Sequence, residues 1–435
     1  MTDRTIAVDY LARVEGEGAL TVRIHGRTVE DVQLRIFEPP RFFEAFLRGR
    51  GYAEAPDLTA RICGICPVAY QMSACHAMER AYGVRVDGAI RELRRLLYCG
   101  EWIESHALHL YLLHLPDFLG YPDAVRLAKD HPREVADGLA LKKVGNALMQ
   151  LLGGREIHPI NVRVGGFYRA PSREELAAFR PQLEAALPLA EATVRLVAGL
   201  DFPAVEEDYE FVSLRAEDEY PMNEGAVVSN RGLRISAEAF EREFEEFQVP
   251  HSHALQSVHR GSGSYLVGPL ARYALNRDRL SPRATALARE VGLPESVRNP
   301  FQSIVVRAVE ILYAVEEALR ILDAYAPPPT ASVPMPVPDH PVSGCAITEA
   351  PRGMLYHRYR VGATGLIEDA KIVAPTSQNQ KRIEDDLRHL VERSLDLERA
   401  PLTDACERAI RNHDPCISCA THFLSLDLKR EGDGA

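Results

Sequence analysis

The stretch RICGICPVAY, residues 61–70, contains two thiols three positions apart, Cys63 and Cys66. A CxxC pair either binds a metal ion or opens and closes as a disulfide, and one pair alone does not separate the two uses. The nature of the site therefore depends on whether the chain supplies further ligands.

A second pair, Cys416 and Cys419, occurs near the other end of the chain in DPCISCATHF, with His422 three positions further on. The two pairs are 353 residues apart, whereas the two pairs of a zinc ribbon are usually about 15–20 residues apart. Closing so long a loop costs conformational entropy, which the stability of the whole fold must offset. Because thiolates select soft transition metals, the four sulfurs predict zinc, an iron–sulfur cluster or a nickel–iron centre within a large core.

The bulk properties are those of an ordinary globular protein. The 435 residues are 46% hydrophobic and 26% charged, which fits about three domain-sized units or one large domain. The net charge of −11 argues against a nucleic-acid surface. No apolar run is long enough for a membrane span, and MTDRTIAVDY is unlike a signal peptide. We therefore expect the cytoplasm. Eight cysteines are too few for a disulfide scaffold.

The hydrophobic pattern predicts a mainly α (α+β) fold with a large helical-bundle core. Residues 5–37 alternate between apolar and polar and predict an N-terminal antiparallel sheet. Helical patterns cover about 41–200 and 300–422, and about 205–275 is a strand-containing insertion. The proline-rich segment 326–341 is either a semi-rigid linker or, if the cysteine pairs meet, a surface crossing within one unit. We expect residues 1–422 to be a single domain.

The two cysteine motifs together resemble the large subunit of nickel–iron hydrogenases, a highly specific match that covers nearly the whole chain. Further blocks of the sequence resemble that family in the same order: RVEGEG, PRFFEAFLRGR, ESHALHLYLLHLPD, GGREIHPINVRVGG, VGPLARYAL, TEAPRG and VAPTSQNQ. The most similar branch is the cytoplasmic, NAD(P)-linked and sulfhydrogenase-like one. The resemblance implies an oxidoreductase that reversibly oxidises H2 to protons and electrons.

The resemblance also assigns metal ligands. It implies that Cys63 and Cys416 bind nickel terminally and that Cys66 and Cys419 bridge nickel to iron, which carries carbon monoxide and cyanide. It further implies a second ion, Mg²⁺ or Fe²⁺, bound by Glu44, the carbonyl of Ile372 and His422. Taken alone, a helical glutamate or a lone histidine is more often structural.

The resemblance places other side chains around the metals. Glu15 matches the family's proton-transfer glutamate, although an isolated EGEG is more often a turn. Arg352 would lie over the open metal position, where the alternative is a surface ion pair. Pro375 and Thr376 would line the cyanide pocket. Asp117 would join the polar groups above the metals, and helix termination is nearly as good an explanation for it.

One position departs from the family pattern, which continues CxxCxxxH and has Tyr70 here. A tyrosine hydroxyl can donate a hydrogen bond but is not an imidazole base. Metal binding is expected to persist, while the departure puts electronic tuning, oxygen sensitivity and catalytic bias in question. It also keeps open a hydrogen-sensing or catalytically altered homologue as the alternative function.

The resemblance implies several partners. A maturation endopeptidase would remove residues 423–435 after His422. The chain has no further iron–sulfur spacing and no dinucleotide or P-loop fingerprint. Electrons would therefore pass to an iron–sulfur small subunit and then to flavin and iron–sulfur subunits of an NAD(P) diaphorase. Two other hypotheses fit the sequence less well. A nickel-free relative in a respiratory complex would lack the four thiols that this chain keeps. A zinc-stabilised binding protein is disfavoured by the long separation between the two cysteine pairs.

Overall fold

The computed structural model describes residues 3–336 and 340–422. It begins with an antiparallel sheet in the order β1-β2-β3, formed by Asp3–Val8, Gly18–His25 and Thr28–Ile36. In its register Ile6 pairs with Val22 and Leu20 with Leu34, so apolar side chains alternate onto one buried face. This confirms the sheet expected over 5–37.

Helices follow the sheet. The first eight are α1 Phe43–Leu47, α2 Ala55–Ala60, α3 Pro67–Ala81, α4 Gly88–Ala107, α5 Leu115–Leu119, α6 Ala124–Asp130, α7 Pro132–Gly153 and α8 Arg173–Ala198. Ser172 and Glu175 form the capping box that begins α8. A π-helix, Leu108–His114, joins α4 to α5. The run ends at the left-handed Gly120, as the sequence indicated, whereas Pro116 lies in the first turn of α5 and does not end it.

The later part of the chain alternates short strands with helices. The helices are α9 Phe240–Glu243, α10 Pro269–Asn276, α11 Pro282–Glu290, α12 Ser303–Ala324, α13 Pro375–Arg393, α14 Arg399–Asn412 and α15 Ile417–Ala420. The strands are β4 Val162–Arg163, β5 Gly166–Phe167, β6 Val212–Arg215, β7 Ala226–Ser229, β8 Arg234–Ile235, β9 Phe244–Gln248 and β10 Leu255–His259. All pair as antiparallel ribbons, and β6–β10 lie in the expected insertion.

The prediction of a helical core over about 300–422 misses one element. Residues 342–373 form the third of the three-stranded antiparallel sheets among the described residues, with β11 Val342–Ala350, β12 Gly353–Val361 and β13 Ile367–Val373. Strand β12 is buried along most of its length because α3 packs on one side of the hairpin and the β6 ribbon contacts the other. A strand buried on both faces does not show the alternating pattern that marks a half-buried strand.

The largest core cluster is built around α3, α4, α7, α8 and α12, and it contains the four cysteines from both ends of the chain. Helix α4 packs against α7 and α12, while α13 packs on β3 and joins the N-terminal sheet to the C-terminal segment. Ala331 and Val333 of the proline-rich segment are held to the β4–β5 ribbon, since Val333 N–H donates to the Gly165 carbonyl and Phe167 N–H to that of Ala331. This described part of the segment therefore crosses the surface and is not a free linker.

Within the described ranges 3–336 and 340–422, no helix is both long and apolar enough to cross a membrane.

Candidate metal centre

The two cysteine pairs meet in the core. The sulfurs of Cys63 and Cys416 are 3.5 Å apart and those of Cys66 and Cys419 are 3.6 Å apart. All four sulfur atoms lie within 4.8 Å of one another, and all four residues are buried. The chain ends therefore combine as the spacing predicted, with each member of the first pair opposite the corresponding member of the second.

Local structure presents these thiols. Cys66 immediately precedes α3, and the amides of Ile65 and Cys66 each donate to the Cys63 sulfur at 3.3 Å. Cys416 immediately precedes the short helix α15, and its own amide donates to the Thr376 hydroxyl at 2.9 Å. The first pair is thus held in a tight turn before α3, and the second pair spans the start of α15, with Cys416 before it and Cys419 within it. All four side chains are buried in the core.

The electrostatics of the cluster fit a bound cation. Burial raises the pKa of the Cys416 thiol well above its usual value, while hydrogen bonding from Cys416 lowers that of Cys63. Four thiolates together in an apolar core would repel one another strongly. A soft divalent or trivalent metal held by all four sulfurs offsets that repulsion, so the donor set fits a thiolate-bound transition-metal centre.

Glu15 reaches the cluster from the N-terminal sheet. Its carboxylate accepts from the Ser418 amide at 3.0 Å, and its carbonyl accepts from the Ile417 amide at 3.0 Å. Burial raises the pKa of Glu15, and the charge of Cys63 raises it further. Gly16 has φ of +90°, and a Cβ there would lie 2.6 Å from the Cβ of Ile417. Glycine is therefore required for this close approach.

Arg352 lies in the turn between β11 and β12, where Cys416, Cys66 and Cys63 are among the charges that act on its guanidinium. Its position over the open metal site stays a prediction. Arg352 is 3% exposed, and its guanidinium donates to the Asp414 carbonyl at 2.8 Å and to the Asp414 carboxylate at 2.9 Å. A third nitrogen lies 3.5 Å from the Ser105 hydroxyl. The surface ion pair considered as the alternative for Arg352 is wrong.

Asp414 and Ser105 were missed by sequence reasoning. Asp414 is 3% exposed and has φ of +51°, an unusual conformation for a residue other than glycine, two positions before Cys416. The available signal was the carboxylate in DPC, next to a motif for which an arginine partner was already expected. Ser105 had no such signal.

The role predicted for Asp117, as one of the polar groups above the metals, stays a prediction. Its carboxylate forms a salt bridge with Arg411 at 2.7 Å and with Arg13 at 2.5 Å, and Asp414 pairs with Arg352. Arg411 lies in the last turn of α14, which leads to the second cysteine pair, and Arg13 precedes the Glu15 loop, so Asp117 fixes these two segments to each other. Its role in the structure is to position the loops that carry the site.

Glu44, Ile372 and His422 come together as expected. The Glu44 carboxylate accepts from the Ile372 amide at 2.8 Å, and His422 Nε2 lies 2.8 Å from the Ile372 carbonyl oxygen. His422 Nδ1 faces a second carbonyl, that of Cys419. A neutral imidazole has one N–H, so it cannot donate to both oxygens. A cation between Nε2 and the Ile372 carbonyl removes the conflict, and the oxygen and nitrogen donors fit a hard divalent ion.

Tyr70 and Pro375 are both buried beside the cluster. Burial raises the pKa of Tyr70 well above its usual value, and the negative charge of Cys419 raises it further. The Tyr70 ring lies 5.7 Å from that of His357. In the part of the chain that the structure describes, the Tyr70 hydroxyl has no oxygen or nitrogen partner, and the Cys419 side chain is the hydrogen-bonding group that acts on it. The hydroxyl therefore faces the sulfurs.

The fold and the site define a redox metalloenzyme whose transition-metal centre is built from four cysteines at opposite ends of one chain. A family model described as nickel-dependent hydrogenase matches residues 41–144 and 264–422. The chain belongs to this family.

Curated relatives match the chain along nearly its whole length. It is 35% identical over 429 residues to sulfhydrogenase 1 subunit alpha of Pyrococcus furiosus, covering 97% of this chain and 98% of that protein. It is 28% identical over 477 residues to the NAD-reducing hydrogenase HoxS subunit beta of Cupriavidus necator, covering 97% and 95%.

A solved structure agrees. A crystal structure of an NAD⁺-reducing [NiFe]-hydrogenase in the H2-reduced state superposes with a TM-score of 0.84 and 28% identity, covering 96% of this chain and 99% of that one. The mainly helical fold and the identification as a hydrogenase large subunit are thereby confirmed. The chain is an oxidoreductase subunit with a nickel–iron centre that interconverts H2 with protons and electrons.

Proposed function

We propose that this chain supplies the complete protein ligand set of a nickel–iron site, with Cys63 and Cys416 on nickel alone and Cys66 and Cys419 shared with iron. The convergence of the four sulfurs within 4.8 Å carries the proposal. The pairing of Cys63 with Cys416 and of Cys66 with Cys419 supports the division into outer and shared ligands. When bound, the metal pair supplies the electron-rich centre at which H2 is split heterolytically.

The protein side of the reaction is proton handling. The Cys416 sulfur takes the proton, and Glu15 accepts it in turn, since the two are within hydrogen-bonding reach. The Ser418 amide holds the Glu15 carboxylate in place. Arg352 holds a fixed positive charge over the open side of the metals and is itself fixed by Asp414. These groups fill the roles of base and electrostatic support.

Pro375 and Thr376 suit iron-bound carbon monoxide and cyanide. They form the first turn of the 19-residue helix α13, where unpaired amides and the helix dipole favour an anion such as cyanide. The Thr376 hydroxyl oxygen already accepts from the Cys416 amide, which leaves its hydrogen to donate to a cyanide nitrogen. The second ion, Mg²⁺ or Fe²⁺, is assigned to Glu44, Ile372 and His422 on the donor chemistry described above.

The proposal of an iron–sulfur partner subunit is supported by exposed apolar side chains near the cysteine cluster. Ile157 and Ile160 are 53% and 51% exposed, and Ile157 faces Gly64 between the first two cysteines. Exposed apolar side chains next to the redox centre suit an iron–sulfur small subunit, which must bring its first cluster close. We further assign NAD(P) as acceptor through diaphorase subunits, and a cytoplasmic location. Residues 1–422 act as one domain.

The activity itself is tested with the assembled multi-subunit enzyme. Purified under anaerobic conditions, it should reduce an artificial dye with H2 and should exchange H2 with D2O. A preparation with a full complement of nickel and iron and neither activity would refute the assignment.

Replacing Tyr70 with histidine should change oxygen sensitivity or the ratio of H2 oxidation to H2 production while leaving the metal content intact. The physical reason is that an imidazole donor changes the electron density at the sulfur of Cys419, which Tyr70 now faces. Activity before and after exposure to oxygen, in both directions, measures the effect. Tyr70→Phe is the matched control for loss of the hydroxyl alone. A Tyr70→His enzyme indistinguishable from the parent in both properties would show that this position only fills space.

The segment 423–435 lies outside the described residues, and its removal by a maturation endopeptidase stays a prediction. His422 and Cys419 are buried at the two metal sites, so a polar tail continuing from His422 would have to leave the core there. Intact-mass measurement of active enzyme should give a large subunit ending at His422. Active protein that retains Ala435 would refute processing.

A further inference from the structure

Glu104 is a buried carboxyl on α4 with a path to the surface. It is 3% exposed, and its carboxylate lies 3.2 Å from the ammonium group of Lys142 on α7, whose side chain is 26% exposed. The two helices touch closely here, since a Cβ on Gly145 would lie 2.6 Å from both the Glu104 nitrogen and the Gly100 oxygen. Gly100 and Gly145 allow α4 and α7 to approach closely at this crossing. The turn of α7 that carries Lys142 therefore lies against Glu104, and the two side chains meet at the edge of the core.

On its inner side Glu104 is near the metal centre, because the charges of Arg352 and Cys63 both act on its carboxyl. The residue that follows it, Ser105, lies 3.5 Å from the Arg352 guanidinium. One turn earlier on α4, Glu101 is fully buried and accepts from the Val68 amide at 2.6 Å and from the Ala69 amide at 3.1 Å, the first turn after Cys66. Residues three apart on a helix are neighbours on one face. Glu101 and Glu104 thus form a line of carboxyls from the first cysteine pair to Lys142.

The charges around Glu104 favour proton transfer near neutral pH. Burial raises its pKa to about 7, with Lys142 and then Arg352 acting in the opposite direction and Cys63 adding to the increase. Glu101 lies on the same helix and, because of burial first of all, its own pKa is also raised well above the usual value. A group that exchanges protons efficiently needs a pKa close to the working pH, and Glu104 meets that condition.

We propose that Glu104 is a proton-transfer residue that connects the metal centre to solvent at Lys142, in parallel with the route through Glu15. The inference rests on the proposed function and adds a second proton exit to it. During H2 oxidation the Glu104 carboxylate accepts a proton from the Glu101 carboxylic acid and becomes an acid itself, while Glu101 takes up a proton from the metal-site side. Glu104 then releases its proton to water beside Lys142, and the electrons leave separately through the partner subunits.

The test uses the assembled enzyme in the Glu15→Gln background, where the Glu104 route carries the residual proton flux. It measures H2-driven dye reduction from pH 5.5 to 9 together with H2/D2O exchange, with and without Glu104→Gln. For H2 oxidation Glu104 must be deprotonated to accept a proton, so its route opens as pH rises through about 7. We expect the double variant to lose that rise and its residual rate at pH 8 to fall about a further tenfold, while Glu104→Gln alone stays near the parent rate because the Glu15 route carries most of the flux. Glu104→Asp should restore part of the rise.

Two further variants separate proton transfer from structure. In the Glu15→Gln background, Lys142→Met removes the cation that lowers the Glu104 pKa, and should move the rise to higher pH with unchanged metal content. The double variant Glu15→Gln with Glu104→Gln should lose the residual exchange that Glu15→Gln alone retains. Glu134→Gln is the control, since Glu134 lies on the same helix as Lys142, near His131 at the surface, and should behave as the parent enzyme.

A double variant Glu15→Gln with Glu104→Gln that has full metal content and the residual rate and pH profile of Glu15→Gln would overturn the inference. If Glu104→Gln does not assemble, the Lys142→Met profile decides, and an unshifted profile overturns the inference as well. Both results leave the hydrogenase assignment intact, because the parent enzyme is then active. A parent enzyme without H2 activity would instead refute the proposed function.

Discussion

Replacing Glu15 with glutamine should lower H2 oxidation and H2/D2O exchange by at least about 100-fold, the lower end of what a positioned acid–base group contributes. Glutamine is close in size, and its amide oxygen can still accept from the Ser418 amide, so the loop should stay in place. It cannot take up and release a proton, and transfer away from Cys416 should therefore fail.

The measurement is exchange and dye reduction on enzyme whose nickel and iron content has been determined. Glu17→Gln is the matched control, because Glu17 lies two positions further along the same loop and is exposed. The variant Glu17→Gln should keep the parent rates. Exchange at the parent rate in Glu15→Gln, with metals present, would remove Glu15 from the proton path.

Replacing Cys416 with alanine should abolish nickel binding and reduce H2 activity to below detection. Cys416 is one of four sulfurs within 4.8 Å, and its loss leaves an incomplete, negatively charged set that cannot hold the metal pair. Metal analysis and H2-driven dye reduction measure the two effects.

Cys406→Ala is the matched control, because Cys406 is also fully buried but belongs to the separate core formed by the N-terminal sheet, α13 and α14. Removing its sulfur should cost some stability through the cavity left behind, yet leave nickel and activity in place. Nickel retained at the parent level in Cys416→Ala would show that this thiol is not a ligand.

The parts of the site that the sequence predicts are those carried by residue type and motif. The two cysteine pairs are too far apart in the sequence to form a local site, so a shared site requires the fold to bring them together. They meet where Cys66 precedes α3 and Cys416 precedes α15. Glu44, Ile372 and His422 likewise meet, although 328 residues separate the first two of them. Sulfur and imidazole chemistry is specific enough to be recognised before the fold is known.

Two features could not be predicted because they depend on geometry that the pattern does not encode. Asp117 follows the π-helix Leu108–His114, whose wider turns change the direction in which later side chains point. Its salt bridges with Arg411 and Arg13 therefore could not be predicted from the sequence. Strand β12 is buried on both faces, so its sequence shows neither the alternating pattern of a half-buried strand nor the pattern of an amphipathic helix.

The proton path through Glu104 also depends on tertiary structure. In the sequence, Glu101 and Glu104 are two acidic residues in an apolar helix, and nothing indicates a partner. The close crossing of α4 and α7 at Gly145 brings Lys142 to Glu104 and makes the carboxyl a buried, titratable group.

The most direct test of the central claim, that sulfurs from both chain ends hold one binuclear centre, is metal analysis of the anaerobically purified enzyme combined with its infrared spectrum. We expect nickel and iron in equal amounts at this site, and stretching bands of iron-bound carbon monoxide and cyanide that shift when H2 is added. Zinc in place of nickel, with no such bands, would contradict it.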